Sequence, residues 1–163
     1  MLPDFLLLAL AATAAQGLTT PLDDSSAAAY LNRQQLALVQ RGAVQGWQVT
    51  ATGLRWRRVK GDGAGVHPGP DDEVTAHYAG TFADGTTFDS SYARGEPITF
   101  QLGQVIPGWQ QALPLAGTGD ILEVAIPWSL AYGPRGKGPI PGGATLLFTI
   151  ELLAVNGKPT GPS

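Results

Sequence analysis

The side chains of this chain that could do chemistry are aromatic and aliphatic rather than nucleophilic. With no cysteine and only two histidines, His67 and His77, thiol catalysis, disulfides and Cys-based zinc sites are excluded, and too few ligands remain for a metal site. Gly136-Lys137 lacks the upstream Gly and the following Ser or Thr of a phosphate-binding loop, Gly61-Asp62-Gly63 lacks the third Gly of a dinucleotide fingerprint, and no G-x-S-x-G occurs. What remains is a set of large rings, Tyr78, Phe88, Trp109, Tyr132 and Phe148, interspersed with Asp89 and Arg94. Such rings offer apolar area with a polar tip on Tyr and Trp, so together they can hold a neutral ligand and orient it through a few hydrogen bonds. Taken singly, each ring reads as core, Tyr132 as a turn aromatic, and Asp89 before Ser90-Ser91 as a turn or cap residue.

The rest of the composition bounds what can position them. At 163 residues and 44% hydrophobic content, the chain suffices for one compact core and not for two ordinary ones. A net charge of −3 with ten Lys and Arg provides no basic field for phosphate, so a neutral peptide is a better expected partner than nucleic acid. The 22 Gly and 13 Pro punctuate short apolar runs, which points to an α+β protein that is mainly β. Leu2 to Ala15 is apolar apart from Asp4 and Thr13, and Ala12-Thr13-Ala14 fits a small-residue cleavage site, so residues 1–15 read as a signal peptide. Asp4 stands where such a segment usually carries Lys or Arg, which leaves an ordinary apolar tail as the alternative. The run is shorter than the ~20 residues of a membrane span.

Residues 16–46 read as a polar linker followed by a short helix, capped at Asp24 or Ser25, running to about Arg41 and stopped by Gly42. Its apolar stripe, Ala27, Leu31 and Leu38, is thin; it suits a surface helix, with a dimerisation helix as the sharper alternative. Beyond Trp47 the pattern becomes strands, over Leu54 to Val59, Ile98 to Leu102, Ile121 to Ile126 and Thr145 to Val155. Around residues 74–79, Val74, Ala76 and Tyr78 share one face and Thr75, His77 and Ala79 the other. Asp84-Gly85 signals a hairpin. Pro107 begins a short helix that Pro114 ends, with Trp109 and Leu113 on one side.

Between Val74 and Val155 lie Val-Thr-Ala-His-Tyr-Ala-Gly, Asp-Gly-Thr-Thr-Phe-Asp-Ser-Ser, Leu-Gly-Gln-Val-Ile-Pro-Gly-Trp, Ala-Tyr-Gly and Gly-Ala-Thr-Leu-Leu-Phe-Thr-Ile-Glu-Leu-Leu. With these motifs the segment from Trp47 to Val155 resembles the FKBP-type peptidyl-prolyl cis/trans isomerases. The resemblance implies a twisted antiparallel sheet wrapped around one short helix over residues 47–155, with 156–163 as a tail. It implies catalysis without cofactor, metal or covalent intermediate. Carried over residue by residue, one cavity is lined by Tyr78, Phe88, Ile98, Val105, Ile140 and Phe148, with Trp109 as the floor under the proline ring. Ile106 would offer its backbone N–H and Tyr132 its hydroxyl to the peptide carbonyls. Asp89 would accept from Tyr78 and pair with Arg94.

The implied partners are proline-containing segments and macrolide inhibitors. The signal-peptide reading of residues 1–15 places the protein in the periplasm or outside the cell, and in the cytoplasm if that segment is not a signal peptide; the helix is too short for a stable coiled coil, so a monomer is expected over a dimer. Ile98, the short approach to Val105 and the Pro134 to Pro139 loop depart from the best-known small member of the family. They are expected to change macrolide affinity and the preference for the residue before proline. A non-catalytic peptide-docking domain using the same pocket is the rival reading.

Overall fold

A computed structural model describes residues 24–159. The segment read as a signal peptide and most of the linker lie outside the described residues. In chain order the elements are helix α1 (Asp24–Val39), strands β1 (Gln48–Val49), β2 (Arg55–Lys60), β3 (Glu73–Phe82) and β4 (Thr87–Ser90), and helix α2 (Ser91–Arg94). Strand β5 (Ile98–Gln101), helix α3 (Pro107–Ala112), strand β6 (Ile121–Ile126), the short strands β7 (Gly136–Lys137) and β8 (Ile140–Pro141), β9 (Leu146–Val155) and β10 (Lys158–Pro159) follow. The main sheet is antiparallel, in the order β1-β2-β6-β9-β3-β4, with β5 also on β3 and β10 on β9.

Strand parity sets which face is buried. Along β3, Val74, Ala76, Tyr78 and Gly80 are buried while the residues between them are not, as the alternation in the sequence predicts. Leu146, Phe148, Ile150 and Leu152 of β9 and Leu122, Val124 and Ile126 of β6 fall on that same face. Helix α3 packs on it. A Cβ on Gly108 would lie 2.5 Å from Ile126 Cγ2, so the helix begins in direct contact with β6, and Trp109 beyond it is fully buried.

The opposite face is covered at one end by α1. Leu38 and Trp47 pack there on Ala125, with Leu147 beside them. The helix presents Tyr30, Gln34, Ala37 and Leu38 inward and leaves Leu31 half exposed, so the face it uses differs from the Ala27, Leu31, Leu38 stripe. Polar contacts explain the difference: Thr145 N–H donates to Gln34 Oε1 at 2.9 Å, and Tyr30 Oη donates to the Gly142 carbonyl at 3.0 Å.

Three local features add to the pattern in the sequence. The α-helix α3 stops at Ala112, ahead of Pro114 as expected, and the chain continues as one 3₁₀ turn, Leu113–Leu115. The segment beyond Val155, read as a tail, turns at Asn156-Gly157, both at positive φ, and pairs back on β9 through β10. The Pro134–Pro139 loop holds β7, which turns at Gly138-Pro139 to pair with β8 beyond it.

A buried acid holds the loop after β2. Asp120 is 2% exposed and accepts from Gly117 N, Gly63 N and Arg58 Nε, while Arg58 also donates to the Leu115 carbonyl. Gly61, at φ +91°, lies so close that a Cβ would overlap Asp120 Oδ1, which leaves only glycine at that position. Burial pushes the Asp120 carboxyl up, but the hydrogen bonds from Gly117, Gly63 and Arg58 outweigh it and hold the carboxyl below the usual range. Its stabilisation is therefore present above the ordinary carboxylate pKa of about 4 and is lost as pH falls through the lowered value. Urea titration at several pH values is expected to show Asp120→Ala destabilised by about 2–4 kcal/mol near neutrality. Asp120→Asn should flatten the fall in stability below about pH 4; an unchanged acid limb would remove Asp120 from this role.

Candidate active site

The rings singled out in the sequence converge where β3, β9 and α3 meet. Strand pairing sets Gly80 opposite both Phe148 and Asp89, and Tyr78 opposite Ile150. Tyr78, Trp109 and Phe148 then form a nest of tilted and edge-on contacts: Trp109 lies 5.3 Å from both Tyr78 and Phe148, centroid to centroid, and Phe88 lies 5.6 Å from Phe148. Such edge-to-face geometry is the favoured arrangement of aromatic quadrupoles. Gly80 makes room for it, since a Cβ there would stand 2.6 Å from the Phe88 ring and 2.7 Å from the Phe148 ring. The indole Nε1–H of Trp109 is buried and meets no acceptor among the described residues.

The polar rim is built by β4 and the single turn that follows it. Ser90 caps α2 by accepting from Ala93 N at 3.2 Å, and that turn carries Arg94 back toward β3. Asp89, 2% exposed, accepts from the Tyr78 hydroxyl on one oxygen and from Arg94 on the other; Arg94 also donates to Tyr78 Oη at 3.0 Å. Asp89 is therefore not the cap that its position before Ser90-Ser91 would suggest on its own. The Arg94 guanidinium stands 5.7 Å from the centre of the Tyr78 ring. Burial, followed by the hydrogen bond to Asp89, raises the Tyr78 phenol well above its ordinary value, with Arg94 opposing. It thus stays a neutral donor to the carboxylate.

Ser91 locks the backbone beneath this triple. Its hydroxyl accepts from Tyr78 N at 2.7 Å and lies 2.9 Å from His77 Nδ1, and His77 stacks on Tyr92. His67 sits elsewhere, between the carbonyls of Pro114 and Gly63. The histidines are a sheet-face and a surface side chain, serving structure.

Val105 and Ile106, both 6% exposed, lie just before α3, and the Ile106 carbonyl starts the helix by accepting from Trp109 N and Gln110 N. Gln110 Nε2 fixes the Val105 carbonyl at 2.7 Å. Ile140 is buried in the same core, while Ile98 and Tyr132 pack against it half-buried. The structure thus brings Tyr78, Phe88, Ile98, Val105, Ile106, Trp109, Tyr132, Ile140 and Phe148 into one cluster, with Asp89 and Arg94 attached through Tyr78.

Two participants escaped the reading of the sequence. Phe100, 5.4 Å from Trp109, shares the Ile98 face of β5 and was visible in that strand's alternation. Ser91, fully buried, gave no such signal, because its role depends on the β3/β4 register. Chemically, the assembly is an apolar aromatic nest with one partnered carboxylate. It can bind and orient a ligand, and it has no activated nucleophile.

Comparison with known proteins agrees with this geometry. Residues 65–153 match the family model described as FKBP-type peptidyl-prolyl cis-trans isomerase. The chain is 41% identical over 138 residues to the FKBP-type peptidyl-prolyl cis-trans isomerase FkpA of Aeromonas hydrophila, covering 85% of this chain and 51% of that protein. It is 48% identical to the outer membrane protein MIP of Legionella longbeachae, over 66% of this chain and 46% of that one. The chain thus spans about half the length of these relatives. The crystal structure of a peptidyl-prolyl cis-trans isomerase from Pseudomonas syringae superposes with a TM-score of 0.72 at 32% identity, covering 85% of this chain and 98% of that one. The chain belongs to the FKBP-type peptidyl-prolyl cis-trans isomerase family.

Proposed function

We propose that this chain accelerates cis/trans rotation about X-Pro bonds in polypeptides, with Trp109 as the floor beneath the proline ring. The observation that carries this reading is the Tyr78–Asp89–Arg94 network closing directly onto the Trp109 and Phe148 rings. The uncatalysed rotation is slow because the C–N bond has partial double-bond character and a barrier of ~18–20 kcal/mol. At the transition state the amide is twisted and less dipolar, so a water-poor apolar site favours it over the planar form. Tyr78, Phe88, Ile98, Val105, Ile140 and Phe148 form the walls. The Ile106 N–H and the Tyr132 hydroxyl hold the neighbouring carbonyls, and Asp89, kept in place by Tyr78 and Arg94, faces the bond being rotated.

Macrolide binding to the same pocket follows from the family's chemistry. Export to the periplasm or beyond is supported by the apolar segment Leu2 to Ala15 and by the resemblance to an outer membrane protein. There the activity would serve the folding of exported chains, in which proline isomerisation is a slow step. Among the described residues no helix is long and apolar enough to cross a membrane. A monomer is favoured because α1 spends its Tyr30, Gln34, Ala37 and Leu38 face on its own sheet. Sedimentation at rising concentration should leave the mass unchanged.

Exchange NMR on a short Leu-Pro-Phe peptide is the direct test. Acceleration that a macrolide abolishes is expected; binding without acceleration would replace the enzyme by a peptide-docking domain. Tyr132→Phe is expected to lower kcat/KM by about tenfold, the equivalent of one lost hydrogen bond, and Asp89→Val, which also takes the acceptor from Tyr78 and Arg94, by at least as much, with circular dichroism unchanged. Wild-type turnover in either variant would remove that residue from the site. The raised Tyr78 phenol keeps its proton on the alkaline side, so its contribution to stability is whole below about pH 10 and lost only as pH rises through the raised value. Turnover should therefore be flat from about pH 6 to about pH 9. A fall in turnover matching phenolate absorbance within that window would contradict this.

A further inference from the structure

The segment from Trp128 to Gly143 carries Tyr132 and Ile140 to the core, and its backbone pairs with itself rather than with the main sheet. Gly133 N donates to the Trp128 carbonyl within the first limb, and the two limbs are tied to each other where Gly143 N donates to the Gly133 carbonyl at 3.0 Å and β7 pairs with β8. The limbs also touch, since a Cβ on Gly142 would lie 2.1 Å from the Pro134 carbonyl oxygen. Cross-linked in this way, the segment behaves as a unit. Whatever fixes its neck at Gly142 and Gly143 also fixes Tyr132, which is bonded to Gly133.

Helix α1 reaches that neck from the far side. Tyr30 Oη donates to the Gly142 carbonyl, one residue from the Gly143–Gly133 hydrogen bond. One helical turn on, Gln34, 8% exposed, accepts from Thr145 N through its side chain, and its backbone carbonyl accepts from Thr145 Oγ1 at 3.0 Å. Thr145 is 1% exposed and stands at the start of β9. Beside these contacts the helix and the segment are parted by a cleft of about 640 Å³ that Leu31, Gln35 and Trp128 help to line. With that cleft between them, the link depends on the hydrogen bonds of Tyr30 and Gln34 more than on continuous packing. A buried Gln is costly unless its amide is used.

We propose that Tyr30 and Gln34 are positioning residues for the isomerase site: α1 braces the Trp128–Gly143 segment and thereby sets where Tyr132 and Ile140 meet the substrate. The coupling to catalysis rests on the function proposed above; the brace itself does not.

The test uses the full chain and the variants Tyr30→Phe and Gln34→Ala, with Leu36→Ala, an exposed change on the same helix, as control. Amide exchange at Gly133 and Gly143 is expected to quicken by about three- to tenfold in both variants, while amides of β3 and β6 keep their protection. kcat/KM for the Leu-Pro-Phe peptide should fall by a similar factor, and the loss from Tyr30→Phe should shrink when Tyr132 is already Phe, because both changes then act on one interaction. Lower thermal stability with unchanged loop exchange and unchanged kcat/KM would overturn the proposal, as would strict additivity in the Tyr30/Tyr132 cycle. If the wild-type chain shows no isomerisation, the functional reading fails, and the exchange measurement alone decides whether α1 holds the segment.

Discussion

The register of β3 against β9 is the constraint from which the rest of the molecule follows. It sets Tyr78 beside Ile150 and Gly80 beside Phe148, and the same strand meets Asp89 across its other edge. Because side chains alternate, a slip by one residue would turn Tyr78 to the outer face and bring His77 inward. Gly80 reinforces the choice, since only in this register does the missing Cβ coincide with the space the Phe88 and Phe148 rings require. A local packing need and a long-range pairing thus specify the same arrangement, which is the consistency that makes a sequence specify one fold.

Two buried carboxylates show how differently one sheet handles acids. Asp120 is ringed by backbone N–H groups and Arg58, partners that fasten the loop after β2 and the turn before β6. Asp89 is held by two side chains instead, the Tyr78 hydroxyl and Arg94. Backbone donors give a rigid junction. Side-chain donors leave a carboxylate at the rim of an apolar nest without committing the surrounding main chain, which suits a ligand site.

Much of this was legible in the sequence. The β3 alternation, the Asp84-Gly85 turn and the α3 segment follow from period and turn chemistry, and the structure has them in those places. The joint placement of Tyr78, Trp109 and Phe148 came from linked motifs, because no local rule distinguishes a pocket ring from a core ring. What stayed hidden was polar and non-local. Helix α1 docks through Leu38 and also through Tyr30 and Gln34, whose partners lie more than a hundred residues away, so its apolar stripe gave only part of the face it uses.

The margins of the sheet are short. On one side β1 covers only the start of β2, and where β2 runs beyond it the strand carries Arg57, Arg58 and Lys60. On the other, β4 and β5 share the edge of β3 end to end, four residues each, with α2 between them. Open strand edges invite foreign backbone to add itself, and charge and brevity are what discourage it. For the activity proposed here, such margins would let unfolded chains be engaged one proline at a time without adding their backbone to the sheet.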